Sequence, residues 1–417
     1  MSGTYSTDPA NPATTRNARS TGPTAPGGAR RTSARPVRVV LAGGRGHGHW
    51  HLDNLRRLSA RGMVKLAGVC DVRPLEPEAL TRLGKPVQGT DLGEIVTATG
   101  ATAAIVCTPI HTHTDLALTA AARGADVLLE KPPAPSLAEF RRLADGLAGT
   151  GRACQVGFQS LGSHALAAVH ELIADGAVGE LRGIGAAGNW VREEHYFSRA
   201  AWSGRRRLAG TDVVDGVLTN PLAHAVATAL HLDGSTAEQD VDEVRTELFR
   251  AHDIESDDTS CVDIRTARGT RIVVAATLCA RTAAEPYVVV HGSRGRITLW
   301  YKQDRVLLQR AGHGPHERVF GRTDLLENLL AHRAGDTPLL VPPAATGAFM
   351  RVVEVVRTAE DPVPVPPSRW RTAAGERSHR RVVDGVDELV DAAAEQLATF
   401  SELGAPWAAP VRPAAHR

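Results

Sequence analysis

The stretch VRVVLAGGRGHGHWH, residues 37–51, decides the fold. Val37, Val39, Val40 and Leu41 are β-branched or aliphatic, which suits a strand buried on both faces of a parallel sheet. The run breaks at Gly43, Gly44, Gly46 and Gly48, and an apolar-periodic helix is predicted to start near His51. Strand, glycine turn and helix together aim backbone N–H groups and a helix N-terminus at one point, an arrangement that holds a pyrophosphate. Gly43 and Gly48 fit the outer positions of G-x-G-x-x-G, but Arg45 stands at the middle one, where a small residue lets phosphates approach the backbone. Arg45 either obstructs that approach or swings out to a phosphate oxygen, while Gly44 and Gly46 supply flexibility.

The context supports a dinucleotide site. VKLAGVC (64–70) is a second strand ending at Asp71, 23 residues beyond Gly48. An acidic residue at about that distance binds the adenosine ribose hydroxyls and repels a 2′-phosphate, so the reading is NAD over NADP. Arg73 is the guanidinium that could accept such a phosphate. Helices are predicted over 75–83, 91–99, 113–123 and 136–147, the last with a capping box of Ser136 and Glu139. Strands are predicted over 101–107, 125–130 and 153–158. This alternation implies a doubly wound parallel sheet. From about 179 onwards strands dominate: 181–187, 241–251, 259–266, 270–279, 286–291 and 296–301. They imply a mixed or antiparallel sheet in a second domain. Helices follow over 324–334 and 344–358. The Pro-rich stretch 361–368 is expected to end the compact part, before a final helix over 384–403.

With 417 residues the chain suits two domains. A net charge of +2 gives no basis for a nucleic-acid or anionic membrane partner. The five cysteines (Cys70, Cys107, Cys154, Cys261, Cys279) lack C-x-x-C spacing and several sit in apolar runs, as expected of buried thiols in a reducing compartment. No run approaches the roughly 18 apolar residues of a membrane span. Residues 1–36, rich in Ser, Thr, Pro, Ala, Gly and Arg, read as a disordered tail. Arg30-Arg31 is followed by the short first strand instead of a cleavable apolar segment, so a cytoplasmic location is expected.

Open parallel sheets bind ligands beyond the carboxyl ends of their strands. There the sequence places Thr108-Pro109-Ile110-His111-Thr112-His113 and Glu130-Lys131-Pro132-Pro133. Gln159, after the last strand of this half, should face the nicotinamide edge. The glycine loop with His51, Asp71, TPIHTH and EKP resembles the Gfo/Idh/MocA oxidoreductases, relatives of glucose–fructose oxidoreductase and inositol dehydrogenase. The resemblance covers roughly residues 37–350. It implies an N-terminal Rossmann domain, a C-terminal α/β domain with a large open sheet, and NAD(P) chemistry on sugars or cyclitols. It carries a catalytic role to Lys131 and cofactor contacts to Thr108, Pro109 and His113. Position 110, commonly Asn in the family, is Ile here. The expected division is therefore a tail over 1–36, a cofactor domain over 37–158, a substrate and oligomerisation domain over 159–350, and an extension over 351–417. The cofactor side comprises Gly43, Arg45, Gly46, His47, Gly48, Asp71, Arg73, Thr108, Pro109, His113, Glu130 and Gln159.

The family also tends to carry Asp-x-x-x-His at a helix start in the second domain; here Asn220 replaces the Asp and His224 is kept. Four-residue spacing on a helix would put both on one face, although Asn220 before Pro221 also reads as a plain N-cap. His224 is expected to be the base that takes the hydroxyl proton, with a pKa near neutrality. Lys131 would stabilise the developing alkoxide. Trp190, Arg192 and Trp202 are the candidate substrate contacts. His47, His49, His51, His111 and His113 could chelate a metal, but hydride transfer to nicotinamide needs none, and none is expected. The predicted activity is oxidation of a secondary hydroxyl of a sugar, cyclitol or polyol, or the reverse reduction. Two competing readings are a redox-assisted lyase, epimerase or glycosidase with tightly held NAD, and a non-catalytic dinucleotide sensor. An open sheet face in the second domain would favour a homo-oligomer.

Overall fold

The computed structural model describes residues 35–335 and 337–408, so the tail expected over 1–36 lies almost wholly outside the described residues. The first half alternates strand and helix: β1 (Val37–Ala42), α1 (Gly48–Ala60), β2 (Val64–Cys70), β3 (Val87–Gly89), α2 (Leu92–Thr99), β4 (Ala103–Val106), α3 (His113–Ala122), β5 (Asp126–Leu129), α4 (Leu137–Thr150) and β6 (Cys154–Val156). All six strands are parallel, in the order β3-β2-β1-β4-β5-β6. The chain reverses its direction of travel between β1 and β4, so the crevice that takes a ligand in such sheets lies above these two strands. The four residues of β4 and the four of β5 are all buried, which is why they are uninterrupted apolar runs apart from Asp126. Asp126 is matched by Arg333 at 2.6 Å.

One helix expected here is absent. Residues 75–83 hold only a 3-10 turn, Pro77–Leu80. Pro77 is its first residue, which a helix start tolerates, and the turn ends because Thr81 leaves the helical region and Arg82 takes φ +66°. Ser136 accepts from the Glu139 N–H at 3.2 Å, but Glu139 pairs with Arg142, so half of the expected capping box forms.

The second half contains α5 (Ala165–Ala174), β7 (Leu181–Asn189), the short α6 (Glu194–Phe197), a two-residue hairpin of β8 (Arg207–Leu208) and β9 (Thr211–Asp212), and α7 (Ala223–Asp233). Then come β10 (Val241–Arg250), β11 (Thr259–Thr266), β12 (Arg271–Thr277), β13 (Tyr287–Gly292), β14 (Gly295–Trp300), β15 (Arg305–Arg310) and β16 (His316–Val319). The chain closes with α8 (Leu325–Arg333), α9 (Gly347–Thr358), β17 (Val363–Pro364), β18 (Trp370–Ala374), β19 (His379–Val383) and α10 (Val386–Gln396). Nine strands form one mixed sheet, β16-β15-β14-β13-β7-β12-β11-β10-β17. The β7–β12 and β10–β17 pairs are parallel and the others antiparallel.

The strands sort their side chains by parity, as a pleated sheet must. Ile184, Ala186, Ile272, Val274, Val288 and Val290 pack with Leu222 and Val226 into one core. Ala187, Val273, Ala275 and Val289 face the opposite way, into a core shared with Val386, Val390, Ala393, Phe400 and Trp407. The C-terminal segment thus lies across the sheet face from which self-association was expected. The Pro-rich stretch does not end the compact part: β17 joins the sheet edge, and α10 covers β7 and β12. Phe249 meets the Trp407 ring edge-on at 4.7 Å between centroids.

The small residues of β7 make this cover possible. A Cβ on Gly185 would lie 2.0 Å from the Ala394 carbonyl oxygen, and one on Gly183 2.4 Å from Leu397. Gly185→Val should therefore push α10 off the sheet, costing about 1–3 kcal/mol as other overpacked cores do. Chemical denaturation reads the loss of stability, and light scattering reads association through the uncovered apolar face. A variant with the wild-type denaturation midpoint would refute the close contact.

Candidate active site

The glycine turn is built as a dinucleotide loop requires. Gly43 has φ +83°, and a Cβ there would sit 2.1 Å from the Cys107 carbonyl oxygen; at Gly48 it would sit 2.1 Å from that of Gly43. Both positions exclude a side chain, and α1 starts at Gly48 with His47 as its N-cap. The turn therefore leaves a cradle at a helix N-terminus, where the aligned peptide dipoles and unused N–H groups favour phosphate.

Arg45 does neither of the things expected of it. Its guanidinium folds over the end of β2 and donates to Asp71 Oδ1 at 2.7 Å and to the carbonyls of Arg73 and Pro74 at 2.9 and 2.8 Å. The Gly44 N–H donates to Asp71 Oδ2 at 3.0 Å. An ionised carboxylate has about four acceptor sites, so Asp71 retains capacity for ribose hydroxyls while its charge is matched. Arg73 contributes only its carbonyl, and its exposed side chain is not part of the cleft wall. The guanidinium beside Asp71 is that of Arg45.

The loops beyond β4, β5 and β6 converge with this turn on a cleft of about 1180 Å³. Thr108 and Pro109 line it, as does His113, which is itself almost wholly buried. The His113 ring nitrogens lie 2.8 Å from the carbonyl oxygens of Thr108 and Pro132, stitching the β4 and β5 loops together. Glu130 is buried beneath the cleft floor. It accepts from Gln159 Nε2 at 2.9 Å and from the Lys131 N–H at 3.2 Å, and lies 3.0 Å from His51 Nε2. Burial opposes its ionisation, but His51 and then His47 and Lys131 outweigh it and hold the carboxyl well below its usual range. The donor atoms of His47, His51 and Glu130 lie within 4.8 Å of one another; His47 is the exposed member.

Lys131 projects from the end of β5 toward the second half. Its Nζ donates to both the carbonyl oxygen and the side-chain Oδ1 of Asn220, each at 2.8 Å. Asn220 is not the N-cap of α7, whose N-cap is Leu222 without a capping side chain. It sits in the turn before the helix, and its Nδ2 donates to Asp215 at 2.6 Å. The same-face argument for Asn220 and His224 therefore fails, although both line the cleft. His224 Nδ1 lies 3.2 Å from Ser160 Oγ, which accepts from the Thr228 hydroxyl at 3.0 Å. Burial, then the nearby Lys131 charge, push His224 down to about 3. It is thus neutral throughout the physiological range, contrary to the near-neutral base expected.

The cleft is also lined by Trp190, Arg192 and Trp202, together with Tyr196, Arg199, Tyr301, Lys302 and Arg322. Arg192 lies 4.9 Å from the Trp190 ring centre and 5.0 Å from that of Tyr196. Arg199 lies 3.6 Å from Tyr196 and 4.7 Å from Trp202. Aromatic faces held rigid by guanidinium groups suit the apolar face of a sugar ring. Sequence reasoning missed Asp215 and Ser160, which stand in a loop and in a single 3-10 turn with no periodic signal, and Tyr196, which stands in a four-residue helix too short to show one.

Two family profiles match the chain: "Oxidoreductase family, NAD-binding Rossmann fold" over residues 37–158, and "GFO/IDH/MocA C-terminal domain" over 166–298. The chain belongs to the Gfo/Idh/MocA oxidoreductase family. Its parallel sheet is thus the family's NAD-binding Rossmann domain. Similar curated members include scyllo-inositol 2-dehydrogenase (NAD(+)) of Bacillus subtilis, 32% identical over 34% of this chain and 42% of that protein. Inositol 2-dehydrogenase of Streptomyces avermitilis is 34% identical over 27% of this chain and 34% of that one. The matches thus span less than half of these relatives' length. Among solved structures, the WlbA dehydrogenase from Bordetella pertussis in complex with NADH and UDP-GlcNAcA superposes with a TM-score of 0.62. It shares 20% identity over 78% of this chain and 94% of its own, a likeness of fold. No described helix of this Gfo/Idh/MocA chain is long and apolar enough to cross a membrane.

The Arg45–Asp71 pair sets an expectation for cofactor choice. Arg45→Ala exposes the full charge of Asp71, so binding of NADPH should weaken relative to NADH by about tenfold, ~1.4 kcal/mol. Asp71→Ala should shift the ratio the other way. Fluorescence titration with the two reduced nucleotides measures both, and an unchanged ratio in either variant would count against the ribose role.

Proposed function

We propose that the protein is a dehydrogenase that moves a hydride between NAD and the carbinol carbon of a secondary hydroxyl on a sugar, cyclitol or related polyol. On this reading residues 37–158 carry the cofactor and 159–350 the substrate. NAD, held by the Gly43–Gly48 cradle and Asp71, supplies the hydride acceptor. The observation that carries the reading is the position of Lys131. An ammonium has three donors; Asn220 takes two, and the third is left for a substrate oxygen in the cleft. Burial draws the Lys131 pKa down, and Glu130 and then Asp215 oppose it, so both its charge states serve the reaction. As the hydride leaves carbon, the hydroxyl proton passes to the Lys131 amine and the carbon–oxygen double bond forms. The reverse reduction returns that proton from the ammonium. His224, kept neutral by its burial, hydrogen-bonds the reacting group and orients it. The inositol dehydrogenase names among the relatives, and the UDP-GlcNAcA of the WlbA complex, support a polyhydroxylated substrate, and Trp190 and Trp202 in the cleft wall offer it aromatic faces.

A panel of polyols and sugars offered with NAD⁺ and NADP⁺, followed by nicotinamide absorbance, tests the reading. Lys131→Met should lower turnover by about 10²–10⁴-fold, the range of acid–base catalysis, while NADH affinity stays within about threefold. Equal turnover would refute the role. The pH dependence has a definite sign: oxidation needs the amine, so its rate rises with pH through the lowered lysine pKa, and reduction falls over the same range. His224→Gln should slow both directions without moving that limb, since His224 does not titrate there. A shifted limb would return the proton-transfer role to His224.

A further inference from the structure

The Asp215 carboxylate lies one hydrogen bond behind the Lys131–Asn220 contact. It is 5% exposed. Oδ1 accepts from Asn220 Nδ2 at 2.6 Å, and Oδ2 accepts from the Gly204 N–H at 2.7 Å, with Arg199 at 3.6 Å. All three of these partners are donors, and none of them could take the O–H of a protonated carboxyl. The surroundings are built for the charged form, even though burial pushes the group up against the pull of Asn220, Gly204, Arg199 and Lys131.

This arrangement fixes the Asn220 amide. With Nδ2 committed to a carboxylate, Oδ1 must face the other way, toward Lys131. The amide cannot flip without setting an N–H against the ammonium and an oxygen against the carboxylate. An Asp at position 220 would set two carboxylates about a hydrogen bond apart, where only one of them can stay ionised at neutral pH. The pair Asp215 and Asn220 therefore keeps a single negative charge in the site, placed five residues earlier in the chain.

We propose that Asp215 is a positioning residue of the active site: acting through Asn220, it orients the acceptor oxygens that hold Lys131 and supplies the negative charge that residue 220 lacks. The inference rests on the reading of Lys131 as the group at the reacting oxygen. Lys131 is faced by Glu130 and Cys107 from the Rossmann half and by Asp215 and Arg199 from the other half; His224 and His47 lie within its field. Asp215 is therefore one of two carboxylates that hold the proton on this lysine.

The chain contains four lysines, Lys65, Lys85, Lys131 and Lys302, so a lysine-labelled protein gives a side-chain NMR spectrum in which Lys131 is assigned by its loss in Lys131→Met. In Asp215→Asn the Lys131 signal should titrate about one pH unit lower than in the wild type, with Lys65 and Lys85 unmoved. Asp215→Glu should restore most of the difference. An unmoved Lys131 titration in a protein whose other three lysine signals are native would overturn the proposal. If Asp215→Asn does not fold, Asn220→Ala cuts the same link while leaving Asp215 on Gly204, and should also lower the Lys131 titration; no change there would overturn it as well. The measurement needs no substrate. A panel without turnover, alongside a shifted lysine, would sink the dehydrogenase reading and leave only the coupling of Asp215 to Lys131 through Asn220.

Discussion

Lys131 reaches from the carboxyl end of β5 into the second half of the molecule, and two oxygens of Asn220 receive it. A buried ammonium is costly unless its donors are matched and a negative charge is near. Much of the surrounding construction meets that condition. Glu130 lies beneath it, itself held by His51 and Gln159, and Asp215 stands behind the amide. The same contact ties the Rossmann half to the half that carries the mixed sheet, at the wall of the cleft.

The elements that carry this contact differ in how readable they are. β2 and β11 were predicted to their ends: β2 is apolar but for Lys65 and stops at Asp71, and β11 is bounded by the acidic residues before Thr259 and the turn at Gly269. The loops TPIHTH and EKP were found because strand order dictates where a parallel sheet binds. Asn220 was legible as a residue and illegible as a contact. Its spacing to His224 suggested a shared helix face, whereas Pro221 and Leu222 postpone the helix start to Ala223. Asp215 had no signal at all, since a carboxylate five residues away in an irregular loop follows no period. The charge state of His224 was equally hidden, because it depends on enclosure by Phe158 and Ser160 from one segment and Tyr301 from another.

Arg45 shows how a departure from a motif can be absorbed. The middle glycine of the fingerprint is small so that phosphates can approach, and an arginine there threatens that approach. By folding back onto Asp71 and two carbonyls it leaves the cradle clear. The compensation joins two positions 26 residues apart, so the loop is understood only together with the end of β2.

The cover that α10 and its flanking turns place over the mixed sheet has a thermodynamic consequence. A sheet face buried by a second molecule is lost on dilution, because its free energy carries a concentration term. A face buried by the chain's own C-terminal segment has none, since the tether holds the local concentration of the covering group constant. The apolar residues around Val273, Ala275 and Val289 thus stay shielded at any abundance of the protein, and this part of the fold draws its stability from the length of one polypeptide.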